Sequence, residues 1–99
     1  MRDRSYDDVM AERYAEHPEE AVEMLNAVLE DGEPGEMLVI LRQMTKAFGG
    51  MSAVAEKAEL NPTQLYRTLS ADGNPSLTSL TAVLKAMGLK LSVKVEKAV

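Results

Sequence analysis

The chain has 99 residues, enough for one domain or a domain with an arm and too few for the second core of a multidomain enzyme. It is 45% hydrophobic and 27% charged with one Phe, three Tyr, no Trp and no Cys, which argues against disorder throughout and excludes disulfides, thiolate zinc sites and a cysteine nucleophile. The net charge of −5 is unevenly divided: residues 1–36 hold 12 acidic and 3 basic side chains (−9), residues 37–99 hold 8 basic and 4 acidic (+4), a pattern expected of an acidic segment joined to a phosphate-binding module.

In chain order, the charged opening at residues 1–8 has no apolar segment behind it, so no secretory signal is expected and the chain reads as cytoplasmic. Ser5 is placed to cap a helix over residues 5–16, with Asp7 and Asp8 in its first turn and Val9, Met10, Arg13 and Tyr14 on one side. His17-Pro18 stops it. From Pro18 to Asp31, Ala21, Val22, Met24, Leu25, Val28 and Leu29 recur at helical spacing, and Asp31-Gly32-Glu33-Pro34-Gly35 closes that helix. Glu36 to Phe48 repeats the period through Met37, Ile40, Leu41 and Met44, up to Gly49-Gly50. Its run Met37 to Leu41 is the longest unbroken apolar stretch, far short of the roughly 20 residues that span a bilayer, so no membrane partner is expected.

Ser52 is the expected cap of a short helix ending near Glu59, with Val54, Ala55 and Ala58 inward; Asn61 is the expected cap of the next, with Pro62 in the first turn and Leu65 and Leu69 inward. Asp72-Gly73-Asn74-Pro75 is a turn cluster, and Ser76 opens a last helix with the apolar face Leu77, Leu80, Val83, Leu84 and Met87, up to Gly88. Leu91, Val93 and Val95 then alternate with Lys90, Ser92, Lys94 and Glu96, the period of a strand exposed on one face. Nothing else in the chain reads clearly as its partner, so pairing is expected from a second copy or from a strand of another protein, the alternative being a frayed charged tail.

Two short capped helices joined by a few residues form a helix-turn-helix arrangement, in which the second helix enters the major groove. The register sets Val54, Ala58, Leu60 and Leu65 inward and Ala55 at the crossing, and leaves polar groups outward. The candidate DNA-binding residues are Ser52, Asn61, Thr63, Gln64, Tyr66, Arg67 and Ser70, whose groups suit base edges and phosphates. In the acidic segment Glu19, Glu20, Glu23 and Glu30 are candidates for docking a basic partner.

The run GMSAVAEKAELNPTQLYRTLS from Gly50 to Ser70, followed by Asp72-Gly-Asn-Pro-Ser-Leu and by Leu80 to Leu91 closing on Leu-Ser-Val, resembles the addiction-module antidote proteins. These are small antitoxins with a lambda-repressor-like, Cro-type helix-turn-helix. The resemblance is close over residues 36–95, with Leu-Tyr-Arg-Thr-Leu-Ser and Gly-Asn-Pro its most specific pieces, and extends loosely to Ser5-Tyr-Asp and Pro18 to Pro34. It implies a toxin encoded alongside, usually of the RelE class that cleaves mRNA on the ribosome, and repression of the shared operon. Glu59 departs from the pattern, standing where such proteins usually carry Gly.

Catalysis is not expected. His17 is the only histidine, Glu19, Glu20 and Glu23 lack the loop spacing of a calcium site, and Gly49-Gly50 is a helix stop, not a phosphate cradle. No cofactor or metal is expected. The resulting expectation is an all-α fold: an acidic N-terminal helical segment (residues 1–35) and a helix-turn-helix domain (residues 36–99) ending in a short β-strand. It would bind a palindromic operator in double-stranded DNA as a homodimer and neutralise a toxin. The alternative is a stand-alone transcriptional regulator without a toxin.

Overall fold

In the structure, a computed structural model that describes residues 5–97, side-chain caps and Gly or Pro boundaries set most of the helix limits. Ser5 Oγ accepts from the Asp8 N–H and opens α1 (Tyr6–Glu16). Pro18 at a first-turn position opens α2 (Pro18–Asp31). The third helix, α3 (Pro34–Ala47), starts two residues earlier than its apolar period, because Pro34 is already preset for a helix and Glu36 Oε1 accepts from the Glu33 N–H. After it come α4 (Met51–Ala58), α5 (Pro62–Thr68) and α6 (Leu77–Ala86).

The central element is α3. Helices α1 and α2 lie against it and against each other, α4 touches it, and α5 and α6 pack on α4. Leu38, Ile40, Leu41, Gln43, Met44 and Thr45 of α3 are all buried, which a helix with neighbours on several sides requires. One core cluster runs from Tyr14, Ala21 and Leu25 through Leu41 and Met44 to Val54, Leu65 and Val83. The acidic helices thus contribute to the same core as the basic half. Two carboxylates of α1 also hold that helix on α3: Gln43 Nε2 donates to Asp7 Oδ1 at 3.1 Å, and the Lys46 ammonium pairs with Asp8.

Three expectations are corrected. No strand is present among the described residues, and residues 91–97 run without regular structure. Leu91 packs against the core, but Val93 and Val95 are 98% and 95% exposed. The described residues before this tail lie in helices and short connections, so they offer the segment no free edge to pair with. Second, Ser52 does not cap α4: the N-cap is Gly50, at φ 96°, whose carbonyl accepts from the Val54 N–H at 3.0 Å. Only two glycines separate Phe48, the residue that ends α3, from Met51, so the chain must turn straight into the next helix. Third, Leu77 is exposed, because α6 is seated through Val83 and Leu84 and its apolar face runs on past the elements that cover it.

Candidate nucleic-acid interface

Helices α4 and α5 are joined by Glu59, Leu60 and Asn61. Glu59 adopts φ 59°, ψ 39°, the left-handed conformation; its N–H donates to the Glu56 carbonyl and the Leu60 N–H to the Ala55 carbonyl. This is a Schellman end. The same closure ends α6 at Gly88 (φ 80°), where the Leu89 N–H donates to the Leu84 carbonyl. At Gly88 the missing Cβ makes the conformation easy; at Glu59 the Cβ opposes it by roughly 1–2 kcal/mol. The turn keeps the geometry because Val54 and Ala55 on one side and Leu65 and Leu69 on the other are fully buried.

Helix α5 begins where Asn61 Oδ1 accepts from the N–H groups of Thr63 (2.8 Å) and Gln64 (3.2 Å). Its C-terminal end is fixed three ways. Ser70 Oγ donates to the Arg67 carbonyl at 2.7 Å, and Arg42 of α3 donates through Nη1 to the Leu69 carbonyl. Gly73 closes the following turn so tightly that a Cβ there would stand 1.8 Å from the Thr68 carbonyl oxygen. Between these anchors Asn61, Thr63, Gln64, Tyr66 and Arg67 are exposed, Tyr66 to 68%. The sequence-predicted residues Thr63, Gln64, Tyr66 and Arg67 of α5 are therefore all left outward by the burial of Leu65 and Leu69. Two more of the predicted residues carry structural duties as well, since the Asn61 side-chain oxygen Oδ1 caps the helix and the half-buried Ser70 closes it. Ser52 is exposed on the first turn of the neighbouring helix.

A family profile described as "probable addiction module antidote protein" matches residues 6–95. The chain belongs to this antidote family. An uncharacterized protein of Haemophilus influenzae is similar to it, 32% identical over 83 residues that cover 81% of this chain and 84% of the relative. No solved structure matches. An antidote is defined by the toxin it counters, so family membership implies a cognate toxin partner in general terms.

The four carboxylates singled out for a basic partner all lie on α2. Both Glu20 oxygens accept from Arg13, at 2.8 and 3.0 Å. That pairing holds the Glu20 carboxyl below its usual range and raises the Arg13 guanidinium. Glu30 pairs with Lys94, which raises the lysine. Glu19 and Glu23 stay exposed, with exposed Met24 beside Glu23 in the chain. His17 Nδ1 lies 3.6 Å from Glu19 and 3.9 Å from Glu20, a grouping with the residue types of a metal site. Since the Glu20 carboxylate faces a guanidinium, the trio is better suited to an ion-pair cluster than to a cation.

The residue that the sequence reading missed is Arg42. It counts there as one basic side chain among eight, although it stands directly after the apolar run Met37 to Leu41 and before Met44, within the apolar period of this helix. A charged residue within such a stretch needs a partner near the core, and that is the available signal. No helix among the described residues is long and apolar enough to cross a membrane.

Proposed function

We propose that this chain is a DNA-binding antitoxin that neutralises its toxin by direct contact and represses its own operon. In this reading α4 and α5 are a lambda-repressor-like, Cro-type helix-turn-helix, and the outward face of α5 reads the major groove. It works by binding, not catalysis, in the cytoplasm. The observation that carries it is the division of α5: Leu65 and Leu69 are buried, while Thr63, Gln64, Tyr66 and Arg67 face outward from a helix anchored at both ends. Arg67 reads a guanine or a phosphate, Tyr66 and Gln64 reach base edges, and Ser52 meets the backbone. A homodimer places two copies of α5 on a palindromic operator, with half-sites about one helical turn apart.

The toxin, of the RelE class that the sequence resemblance implies, meets the acidic face of α2. Glu19 and Glu23, with Glu20 and Glu30 beside them, steer a basic RNA-binding surface, and Met24 supplies the apolar contact that exposed ion pairs lack. Because α1 and α2 share the core, the test is charge reversal, not truncation. Purified protein should shift DNA from upstream of its own gene and co-purify with the product of the neighbouring reading frame. Glu19→Lys with Glu23→Lys should abolish neutralisation and spare the operator shift. An operator shift with no toxin in any neighbouring frame would leave a stand-alone regulator.

A further inference from the structure

The tail and the groove beside it are each incomplete, and each has what the other lacks. Val22, Leu25 and Leu29 of α2 with Leu89 and Leu91 line an open groove of about 160 Å³ on the body of the protein. Leu29 is 47% exposed there, and Val93 and Val95 extend beyond it with almost no cover. Among the described residues, none of residues 90–97 makes a backbone hydrogen bond, so a whole row of donors and acceptors is open.

We infer that residues 90–96 pair with the same segment of a second copy as an antiparallel two-stranded ribbon centred on Val93, and that Val95 of each copy completes the groove of the other. The inference rests on the dimer proposed above and specifies its interface. The sequence selects the register. Centred on Val93, Leu91 lies opposite Val95 and Val93 opposite itself on one face, while Lys90 lies opposite Glu96 and Ser92 opposite Lys94 on the other. Every apolar residue then meets an apolar one, and the acid meets a base twice by symmetry. Moving the centre to Lys94 sets that lysine against its own copy. Centring on Ser92 opposes Lys90 to Lys94, and centring on Val95 opposes Val93 to Lys97. An offset by a single residue turns the apolar row of one strand to the wrong face.

Leu91 is the one tail residue of this apolar face that already packs against the core, so it orients the ribbon. The residue opposite it, Val95 of the second copy, shares its face and stands at the mouth of the groove beside Leu29. The Glu30–Lys94 pair holds the tail alongside α2 as it leaves the body. Each groove is thus finished by a residue of the other chain.

The chain has no Cys, so single cysteines report the register without interference. Opposite residues in an antiparallel pair have Cα atoms about 4.5–5.5 Å apart, inside the range a disulfide accepts. In this register the two copies of Val95 are separated by about 13 Å along the strands. Val93→Cys in the full chain should convert almost completely to a disulfide-linked dimer on mild oxidation, and Val95→Cys should stay largely unlinked. Sedimentation should show Lys90→Glu weakening self-association about tenfold, with restoration in the double variant Lys90→Glu/Glu96→Lys. A dimer in sedimentation whose Val93→Cys form does not cross-link, or cross-links no better than Val95→Cys, overturns the ribbon and leaves the dimer. A monomer at all concentrations overturns both, including the case in which the tail pairs only with a toxin strand.

Discussion

The guanidinium of Arg42 donates to the main-chain carbonyl of Leu69 at 2.5 Å, tying α3 to the residue that ends α5. A cation on the last carbonyls of a helix satisfies an acceptor that the helix cannot and complements its dipole. The link connects the helix that carries the acidic segment to the helix proposed to read DNA, so Arg42 acts as a positioning residue for α5.

Arg42→Ala should destabilise the fold by roughly 1.5–3 kcal/mol, the range for a hydrogen bond to a charged group. Operator affinity should fall further than the folded fraction explains, because α5 loses its C-terminal anchor. Urea unfolding beside gel shifts at matched folded concentration separates the two effects.

Arg67→Ala removes an exposed side chain that supports no core contact, so melting should be unchanged. Specific DNA binding should weaken by about 1–3 kcal/mol, with discrimination relaxed at one base position. Equal losses on operator and random DNA, with a shallower salt dependence, would reassign Arg67 to a phosphate.

Glu59→Gly relieves the cost of the left-handed conformation at φ 59° and should raise stability by about 1 kcal/mol. DNA binding should persist. Glu59→Val should lower the melting temperature instead, since a β-branched side chain tolerates this region worst.

Tyr14 is 1% exposed and its hydroxyl has no hydrogen-bond partner among the described residues; burial pushes its pKa up. Removing an unsatisfied buried group relieves its desolvation cost, so Tyr14→Phe should stabilise the protein by about 1 kcal/mol. A lower denaturation midpoint in Tyr14→Phe would count against an unsatisfied hydroxyl.

The Arg13–Glu20 pair carries a pH dependence of defined sign. The Glu20 carboxyl is held below its usual range, chiefly by its hydrogen bond to Arg13, so its contribution is present above the unfolded pKa and is lost as pH falls through the folded one. Arg13 is exposed and Glu20 is only half-buried, so solvent screens the pair and the effect is small. The loss of melting temperature on acidification below about pH 4.5 should be shallower in Glu20→Gln than in the parent.

Much of the helical outline was legible because its signals are local. Ser5, Asn61 and Ser76 cap helices by reaching N–H groups two or three residues away, and Pro18 and Gly88 act within a turn, so their positions follow from the chain alone. The inward spacing of Leu65 and Leu69 likewise marks which side of α5 is left outward. Where two boundaries crowd together, as at Phe48 to Met51, local chemistry misleads: Ser52 has a capping side chain, but Gly50 has the conformation the short turn demands.

Contacts across the chain were decided only by the tertiary structure. The charge pattern marks residues 1–35 as a separate segment, yet Tyr14, Ala21 and Leu25 join the core around α3, Asp7 accepts a hydrogen bond from Gln43 and Asp8 pairs with Lys46. Arg42 meets a carbonyl 27 residues away, a pairing that no local period encodes. The alternation of Leu91, Val93 and Val95 gives a strand its faces but not its neighbour. A helix closes its hydrogen bonds within its own turns, whereas a strand must find an edge elsewhere, and the described residues of a single copy have none to offer.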